Sequence, residues 1–441
     1  MDQETENLIR KYDRPVPRYT SYPTAVQFEE NFSQEDYVQI LAGLDKKEPV
    51  SLYLHIPFCH ILCHYCGCHT QVVNSYKPME AYLRTLYQEI EMIGKALSAS
   101  VPVACIHFGG GSPNFLTPED FKKLIAKLGS VFALSEATDI AMEMDPRLLT
   151  EEKIAGYVSG GVNRVSFGVQ DFNPEVQEAV NRVQPFEKVA ECTRAFRAGG
   201  MRSINFDMMY GLPLQTISSI EKSMDQAVSL EPDRFAVFAY AHVPWMKKHQ
   251  KILEKYGFPE GLERFEMNEA IKRKLESAGY RAIGIDHFAR EEDSLYQALK
   301  AGKLHRNFQG YTDEKCDTII GMGVSSISSF ARFYVQNVTG AAAYQKALAG
   351  GSLPVARGCR ATQDDLARRA AIEQVMCNFE ADFGAFPDVP EKLAALEKDG
   401  LIEIAGNRLK VTEKGRPFTR VVACAFDAYF KAVEGRHARA V

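Results

Sequence analysis

No stretch of the 441-residue chain holds the run of about 18 apolar residues that a membrane-spanning helix requires. Charge of one sign is lacking too. Lys+Arg 52 against Asp+Glu 57 leaves a formal net charge of −5, with no basic field for gripping nucleic acid and no polybasic membrane arm. The opening residues, Met1-Asp2-Gln3-Glu4-Thr5-Glu6, are acidic and have no apolar core, so no secretory signal is expected. Internal repeats, low-complexity tracts and long Gly/Ser linkers are also missing. With those classes set aside, 46% hydrophobic and 25% charged residues describe an ordinary globular chain, expected in the cytoplasm as about two to three domains.

Cysteine, by contrast, is plentiful: ten in all. In a reducing compartment these are thiols, metal ligands or catalysts rather than a disulfide framework. Cys105, Cys192, Cys316, Cys359, Cys377 and Cys424 are scattered singly through apolar stretches and are expected to be small buried hydrophobes. Cys59, Cys63, Cys66 and Cys68 fall within ten residues of one another. Packing gives no reason for such a cluster.

Residues 1–50 are polar and interrupted by Pro15, Pro17 and Pro23, and read as an N-terminal arm with one helix. A strand–helix rhythm follows over 51–290. Short β-rich runs occur at Ser51–Ile56, Ala104–Phe108, Asp139–Met144, Arg164–Phe167, Ser203–Met208 and Arg234–Phe238, separated by segments of helical periodicity. Met79, Tyr82, Leu83, Leu86, Ile90 and Ile93 share one helix face, and Thr117-Pro118-Glu119-Asp120 has the composition of a helix start. The alternation predicts parallel βα units, and six of them suit an open sheet or a partial barrel. Polar or Gly-rich groups follow each strand, among them Gly109-Gly110-Gly111, Glu143-Met144-Asp145 and Gly168-Val169-Gln170-Asp171. In βα folds those strand ends converge on the rim where active sites lie. Residues 291–350 read as a connecting segment that closes the barrel mouth, and 351–441 as a mainly helical domain. Within the latter, Leu393–Lys398, Leu401–Ile404 and Leu409–Thr412 suggest a helix with a two-stranded wing. Mixed charge on that helix argues against nucleic-acid binding.

The cysteine segment reads Cys59-His60-Ile61-Leu62-Cys63-His64-Tyr65-Cys66-Gly67-Cys68, with core spacing C-x3-C-x2-C. Structural zinc normally takes two separated Cys/His pairs, and no second pair follows. Three thiolates from one loop can hold three irons of a 4Fe-4S cube and leave the fourth iron open. Cys68 is a candidate fourth ligand, although Cys66-Gly67-Cys68 is a tight spacing for reaching another corner. The alternative from a different class is a zinc-binding interaction protein that uses Cys59, Cys63, Cys66 and a nearby His.

C-x3-C-x2-C with an aromatic, Tyr65, before the last Cys resembles the signature of radical S-adenosylmethionine (SAM) enzymes. Arg18–Thr24, the fourth cysteine Cys68, Asn205–Asp207, Tyr210–Pro213, Asp286–Ala289 and His305–Tyr311 narrow the resemblance to the oxygen-independent coproporphyrinogen III oxidases. It implies an α/β fold: a partial (β/α)6 barrel of parallel strands with an N-terminal arm and a C-terminal, mainly helical, winged-helix-like domain. The implied reaction decarboxylates two propionates of coproporphyrinogen III to vinyls by means of a 5′-deoxyadenosyl radical, giving protoporphyrinogen IX for haem synthesis. One 4Fe-4S cluster on Cys59, Cys63 and Cys66 and two SAM molecules are implied with it. The first SAM would touch Tyr53, Gly110 and Glu143. The second would touch Tyr65, Gly111, Ser112, Gln170, Arg182, Asp207, Ala241 and Ile327. An anionic substrate calls for guanidinium groups, and Arg18 and Arg306, each in a family-like segment, are the candidates. A flavodoxin- or ferredoxin-type electron donor and a monomeric state complete the expectation. The nearest rival is a haem chaperone of the same superfamily, which typically lacks the arm and has Phe at the position of Cys68.

Overall fold

Each of the six β-rich runs forms a strand: β1 (Val50–Ile56), β2 (Val103–Gly110), β3 (Asp139–Met144), β4 (Arg164–Gln170), β5 (Ser203–Tyr210) and β6 (Arg234–Ala239). The computed structural model of the protein describes residues 2–314, 316–431 and 439. The six strands pair in chain order and all in parallel. Parallel neighbours need crossovers, because a tight turn cannot reverse the chain twice. Helices such as Lys77–Leu97 and Pro118–Gly129 supply them. The first buries Met79, Tyr82, Leu83, Leu86, Ile90 and Ile93 against the sheet, and Thr117 caps the second by accepting from the Asp120 N–H at 3.1 Å.

Beyond β6 the sheet continues antiparallel through β8 (His287–Ala289) to β7 (Arg281–Ile283). On the other side β9 (Ile319–Met322) adds in parallel to β1, followed antiparallel by β10 (Ile327–Ser329), β11 (Phe333–Asn337) and β12 (Val355–Arg360). The result is one twelve-stranded sheet, β12-β11-β10-β9-β1-β2-β3-β4-β5-β6-β8-β7, whose parallel centre forms the partial barrel. Residues 291–350, expected only to connect, therefore put three strands into the sheet. Buried Glu89 of the first crossover helix ties this added edge down. It accepts from Gly323 N at 2.7 Å, Asn337 Nδ2 at 2.6 Å and Tyr344 Oη at 2.5 Å. Burial pushes its carboxyl up to about 7 despite those bonds.

The arm contains two α-helices, Gln3–Tyr12 and Gln34–Ala42, where one was expected. A reciprocal Ser33–Asp36 capping box starts the second. Leu8, Ile9 and Tyr12 of the first join the core of the C-terminal domain, and Tyr12 Oη donates to Asp399 at 2.6 Å. That domain has the expected helix (Val389–Lys398) and wing strands (Ile402–Ala405, Arg408–Val411), with Glu380–Asp382 as a third strand. Cys105, Cys192, Cys377 and Cys424 are buried as expected; Cys316 and Cys359 are only half-buried. Among the described residues no helix is long and apolar enough to cross a membrane.

Candidate active site

The cysteines lie in the loop that leaves β1, and neighbouring strand ends fix its path. Gly111 N donates to Ile56 O and Ser112 N to Phe58 O, both at 2.8 Å, so the glycine turn after β2 is bonded along the loop's start. A Cβ on Gly111 would lie 2.7 Å from Phe58 O and 2.9 Å from Pro57 C, so only glycine permits this approach. Farther along, Asn181 Nδ2 donates to Leu62 O at 2.9 Å, Gln250 Nε2 to Tyr65 O at 2.9 Å, His249 Nε2 to Cys66 O at 2.8 Å and Lys247 Nζ to Cys68 O at 2.6 Å. The loop is pinned from three directions before any ligand arrives.

Cys59, Cys63, Cys66 and Cys68 line a cavity of about 170 Å³, together with Tyr65, Gly110, Gly111, Ser112, Glu143, Gln170, Arg182 and Asp207. Thr70 Oγ1 approaches Cys59 Sγ at 3.0 Å and Ser112 Oγ at 3.5 Å. Burial still pushes the Cys59 thiol up. Arg182 Nη1 and Arg147 Nη2 stand 3.6 and 3.8 Å from Cys63 Sγ. The Cys66 thiol is drawn down to about 6, first by a hydrogen bond from Cys68 and then by the charges of Lys247 and Arg182. The donor set is therefore soft, partly anionic and set among cations, which fits an iron–sulfur cluster. Among the described residues no three His, Cys, Asp or Glu side chains converge tightly enough to hold a single metal ion.

Glu143, at the end of β3, accepts from His107 Nε2 at 3.2 Å and from Gly110 N at 3.3 Å. Burial raises its carboxyl, but these bonds outweigh that and hold it below its ordinary value. Tyr53 stacks on His107 with centroids 6.0 Å apart and donates to His55 Nδ1 at 3.1 Å. His55 Nε2 in turn donates to His69 O at 2.8 Å, tying β1 to the far end of the cysteine loop. Burial lowers the His55 pKa and keeps the ring neutral, as this donor–acceptor pattern requires.

Arg182 is a buried clamp. Its Nε and Nη2 donate to Gly168 O at 3.1 and 2.6 Å, and Nη1 reaches Asp145 at 3.2 Å. Burial would raise the Asp145 carboxyl, yet Arg182 and Arg147 hold it below the usual carboxylate range. Gln170 ends β4 at a register shift with φ +68, a left-handed conformation costly for a residue with a side chain and frequent at functional sites. On β5, Asp207 accepts from Asn205 Nδ2 at 2.8 Å. Burial, reinforced by the nearby Glu143, pushes it up to about 7.

A raised carboxyl costs stability in the ionised form. The cost is nil below the unfolded value of 3.8, grows as pH rises to about 7, and is constant above that. Asp207→Asn should therefore raise the melting temperature of the ligand-free protein at pH 8 but leave it unchanged at pH 3.5; an equal gain at both would contradict this assignment.

Not every expected site residue gathers here. Tyr53 lies behind Gly109 in contact with the cavity wall, while Ala241 and Ile327 lie outside the lining. Arg18 and Arg306 do not line it either. Arg18 Nη2 donates to Ala239 O at 3.3 Å. Arg306, its side chain 3% exposed, pairs with Asp286 at 3.4 Å and lines a separate cavity of about 340 Å³ beside Tyr19–Tyr22. Its Nη1 has no hydrogen-bond partner among the described residues. Conversely, His55, His107, Asp145 and Arg147 belong to the site without having been expected in it. A second interior cavity of about 260 Å³ adjoins the first through Glu143, Ser166 and Asp207.

Comparison with known proteins gives consistent likenesses. Residues 53–227 match the model of the radical SAM superfamily, and 361–418 that of the HemN C-terminal domain. The chain is 41% identical over 441 residues to the oxygen-independent coproporphyrinogen III oxidase of Cereibacter sphaeroides, covering 97% of each. It is 42% identical over 437 residues to that of Bradyrhizobium diazoefficiens, again covering 97% of each. Among solved structures it is similar to the coproporphyrinogen III oxidase of Escherichia coli, described as a radical SAM enzyme. The TM-score is 0.90 at 36% identity, over 94% of this chain and 98% of that one.

Proposed function

We propose how the site works from the premise that the chain belongs to the oxygen-independent coproporphyrinogen III oxidase family of radical SAM enzymes. It is a radical SAM oxidoreductase acting on coproporphyrinogen III in haem biosynthesis: propionate groups lose CO2 and become vinyls without O2. The family implies a 4Fe-4S cluster and SAM. When bound, these supply a carbon-centred radical that takes a hydrogen atom from the propionate side chain.

The observation that carries the residue assignment is the single cavity on which the cysteines, the glycine turn, Glu143, Arg182 and Asp207 converge. Cys59, Cys63 and Cys66 hold the cluster. Glu143, kept ionised, accepts from the hydroxyls of a ribose, with Tyr53 and Gly110 beside it. The second group, Tyr65, Gly111, Ser112, Gln170, Arg182, Asp207, Ala241 and Ile327, receives a second SAM. Arg182 offers a carboxylate partner, and Asp207 faces a sulfonium cation that would draw it to the ionised form. Support for two SAM molecules lies in the size of the combined space, since the 260 Å³ cavity continues directly below Glu143 and Asp207. Equilibrium dialysis of reconstituted protein with labelled SAM should give two equivalents, falling to one in Asp207→Ala. One equivalent in the native protein would overturn the second site.

Arg18 and Arg306 meet substrate carboxylates at the mouth between arm and barrel. Arg306 reaches back to Arg18 O at 3.3 Å, so the two act as one unit. Arg18→Ala should raise the KM for coproporphyrinogen III about tenfold with cluster absorbance intact, as expected for a lost guanidinium–carboxylate contact. An unchanged KM would remove Arg18 from the substrate site. We further assign a flavodoxin- or ferredoxin-type donor, a monomer and a cytoplasmic location, the last supported by thiols that need a reducing compartment.

A further inference from the structure

The outer side of the cysteine loop carries a set of exposed apolar side chains. Trp245 and Met246 are adjacent, apolar and 56% and 69% exposed, which is unusual for large side chains in the absence of a partner. Ile61, Val183 and Ile252 are exposed as well. Hydrogen bonds tie the segments that carry them to the cysteine loop. Lys247 and His249 donate to Cys68 O and Cys66 O, which holds the Trp245–Ile252 segment against the loop. Asn181 donates to Leu62 O, which sets Val183 near Ile61 on the other flank. Of the five, only Ile61 also lines the inner cavity.

The charge around this patch is opposite to that of the chain. Residues 247–256 hold Lys247, Lys248, Lys251 and Lys255 against Glu254 alone, in a protein of net charge −5. Glu254 is occupied by His242 at 3.2 Å, and Lys248, Lys251 and Lys255 take part in no ion pair among the described residues.

We propose that this face docks an acidic one-electron carrier protein with an apolar patch around its own redox group, which delivers the electron the cluster needs. The inference rests on the reading of the loop as the cluster site. The inner side of the loop faces the SAM cavity, so an electron enters from the outside, where Trp245 and Met246 offer an exposed apolar landing. An apolar centre with a charged rim is the anatomy of a transient protein interface, and the lysines supply steering for an acidic partner. The transfer is a single electron: the carrier is oxidised by one, the cluster is reduced by one, and no bond or proton of this chain changes.

The test is calorimetric titration of the full-length, cluster-reconstituted protein with an acidic flavodoxin, at about 50 and about 300 mM salt, for the native chain and K248E/K251E/K255E. These lysines are exposed and lie outside the cluster and SAM contacts, so iron content and dithionite-driven SAM cleavage should match the native chain. The native protein should bind more weakly at high salt. The variant should bind at least about tenfold more weakly at low salt and lose most of the salt dependence. Equal affinity in the two proteins, or no binding by either, overturns the proposal. So does unchanged flavodoxin binding with a raised KM for coproporphyrinogen III, which gives the surface to the substrate. A native chain that binds flavodoxin and cleaves SAM but yields no porphyrin product with dithionite would instead break the reading of the reaction, because docking is measured without turnover.

Discussion

Cys59→Ala, Cys63→Ala and Cys66→Ala should each reduce turnover by more than about a thousandfold, since the radical chemistry resides in the cofactors and not in the chain. Cys68→Ala should keep the cluster. The four cysteines lie within one loop, yet their surroundings differ. Cys59 receives hydroxyl contacts from Thr70 and Ser112, and Cys63 faces the paired guanidiniums of Arg147 and Arg182. Cys66 is drawn toward thiolate by Cys68. Cys68 itself is solvent-exposed and acts on Cys66. Its loss removes a hydrogen bond to the Cys66 sulfur, which under the proposed assignment should alter the cluster's potential more than its occupancy. Iron and sulfide analysis after anaerobic reconstitution separates the two classes. Loss of iron in Cys68→Ala equal to that in Cys66→Ala would make Cys68 a ligand.

Gly111→Ala should be nearly as damaging, although residue 111 ligates nothing. The added Cβ meets Phe58 O at 2.7 Å and Pro57 C at 2.9 Å. Both are backbone atoms, so relief requires moving the start of the cysteine loop rather than rotating a side chain. Two hydrogen bonds, Gly111 N to Ile56 O and Ser112 N to Phe58 O, would stretch with it. The expected result is loss of most bound iron with the barrel still folded by circular dichroism. Gly67→Ala is the control. It lies inside the cysteine motif, but its Cβ would meet nothing within 4 Å. Iron should be retained in Gly67→Ala, and equal losses in both variants would contradict the geometric argument.

Much of this site was legible because its signals are local. Three cysteines at fixed spacing, a glycine turn at the next strand end and a carboxylate at the one after are each read within a few residues. The six parallel strands share that quality, being apolar runs separated by helical periodicity. What escaped depends on distant pairing. Ile319–Met322 and Ile327–Ser329 are too short to show a period; the first becomes a strand because β1 offers a free edge, and the second because the first then offers its own. Leu8, Ile9 and Tyr12 sit among polar and charged neighbours, and their apolar partner surface lies in the C-terminal domain, where Asp399 is 387 residues from Tyr12. His55 and His107 carry no motif at all. Only the folded β1–β2 pair shows that they orient Tyr53 and Glu143. Arg306 illustrates the reverse case. The family-like segment around it was evident, but its pairing with Asp286 was not.

The most direct test of the central claim is an anaerobic assay of the reconstituted full-length protein with SAM, dithionite and coproporphyrinogen III, followed by mass spectrometry. The account predicts protoporphyrinogen IX, with one 5′-deoxyadenosine formed for each vinyl group. Deoxyadenosine released in the presence of coproporphyrinogen III without any vinyl product would contradict it.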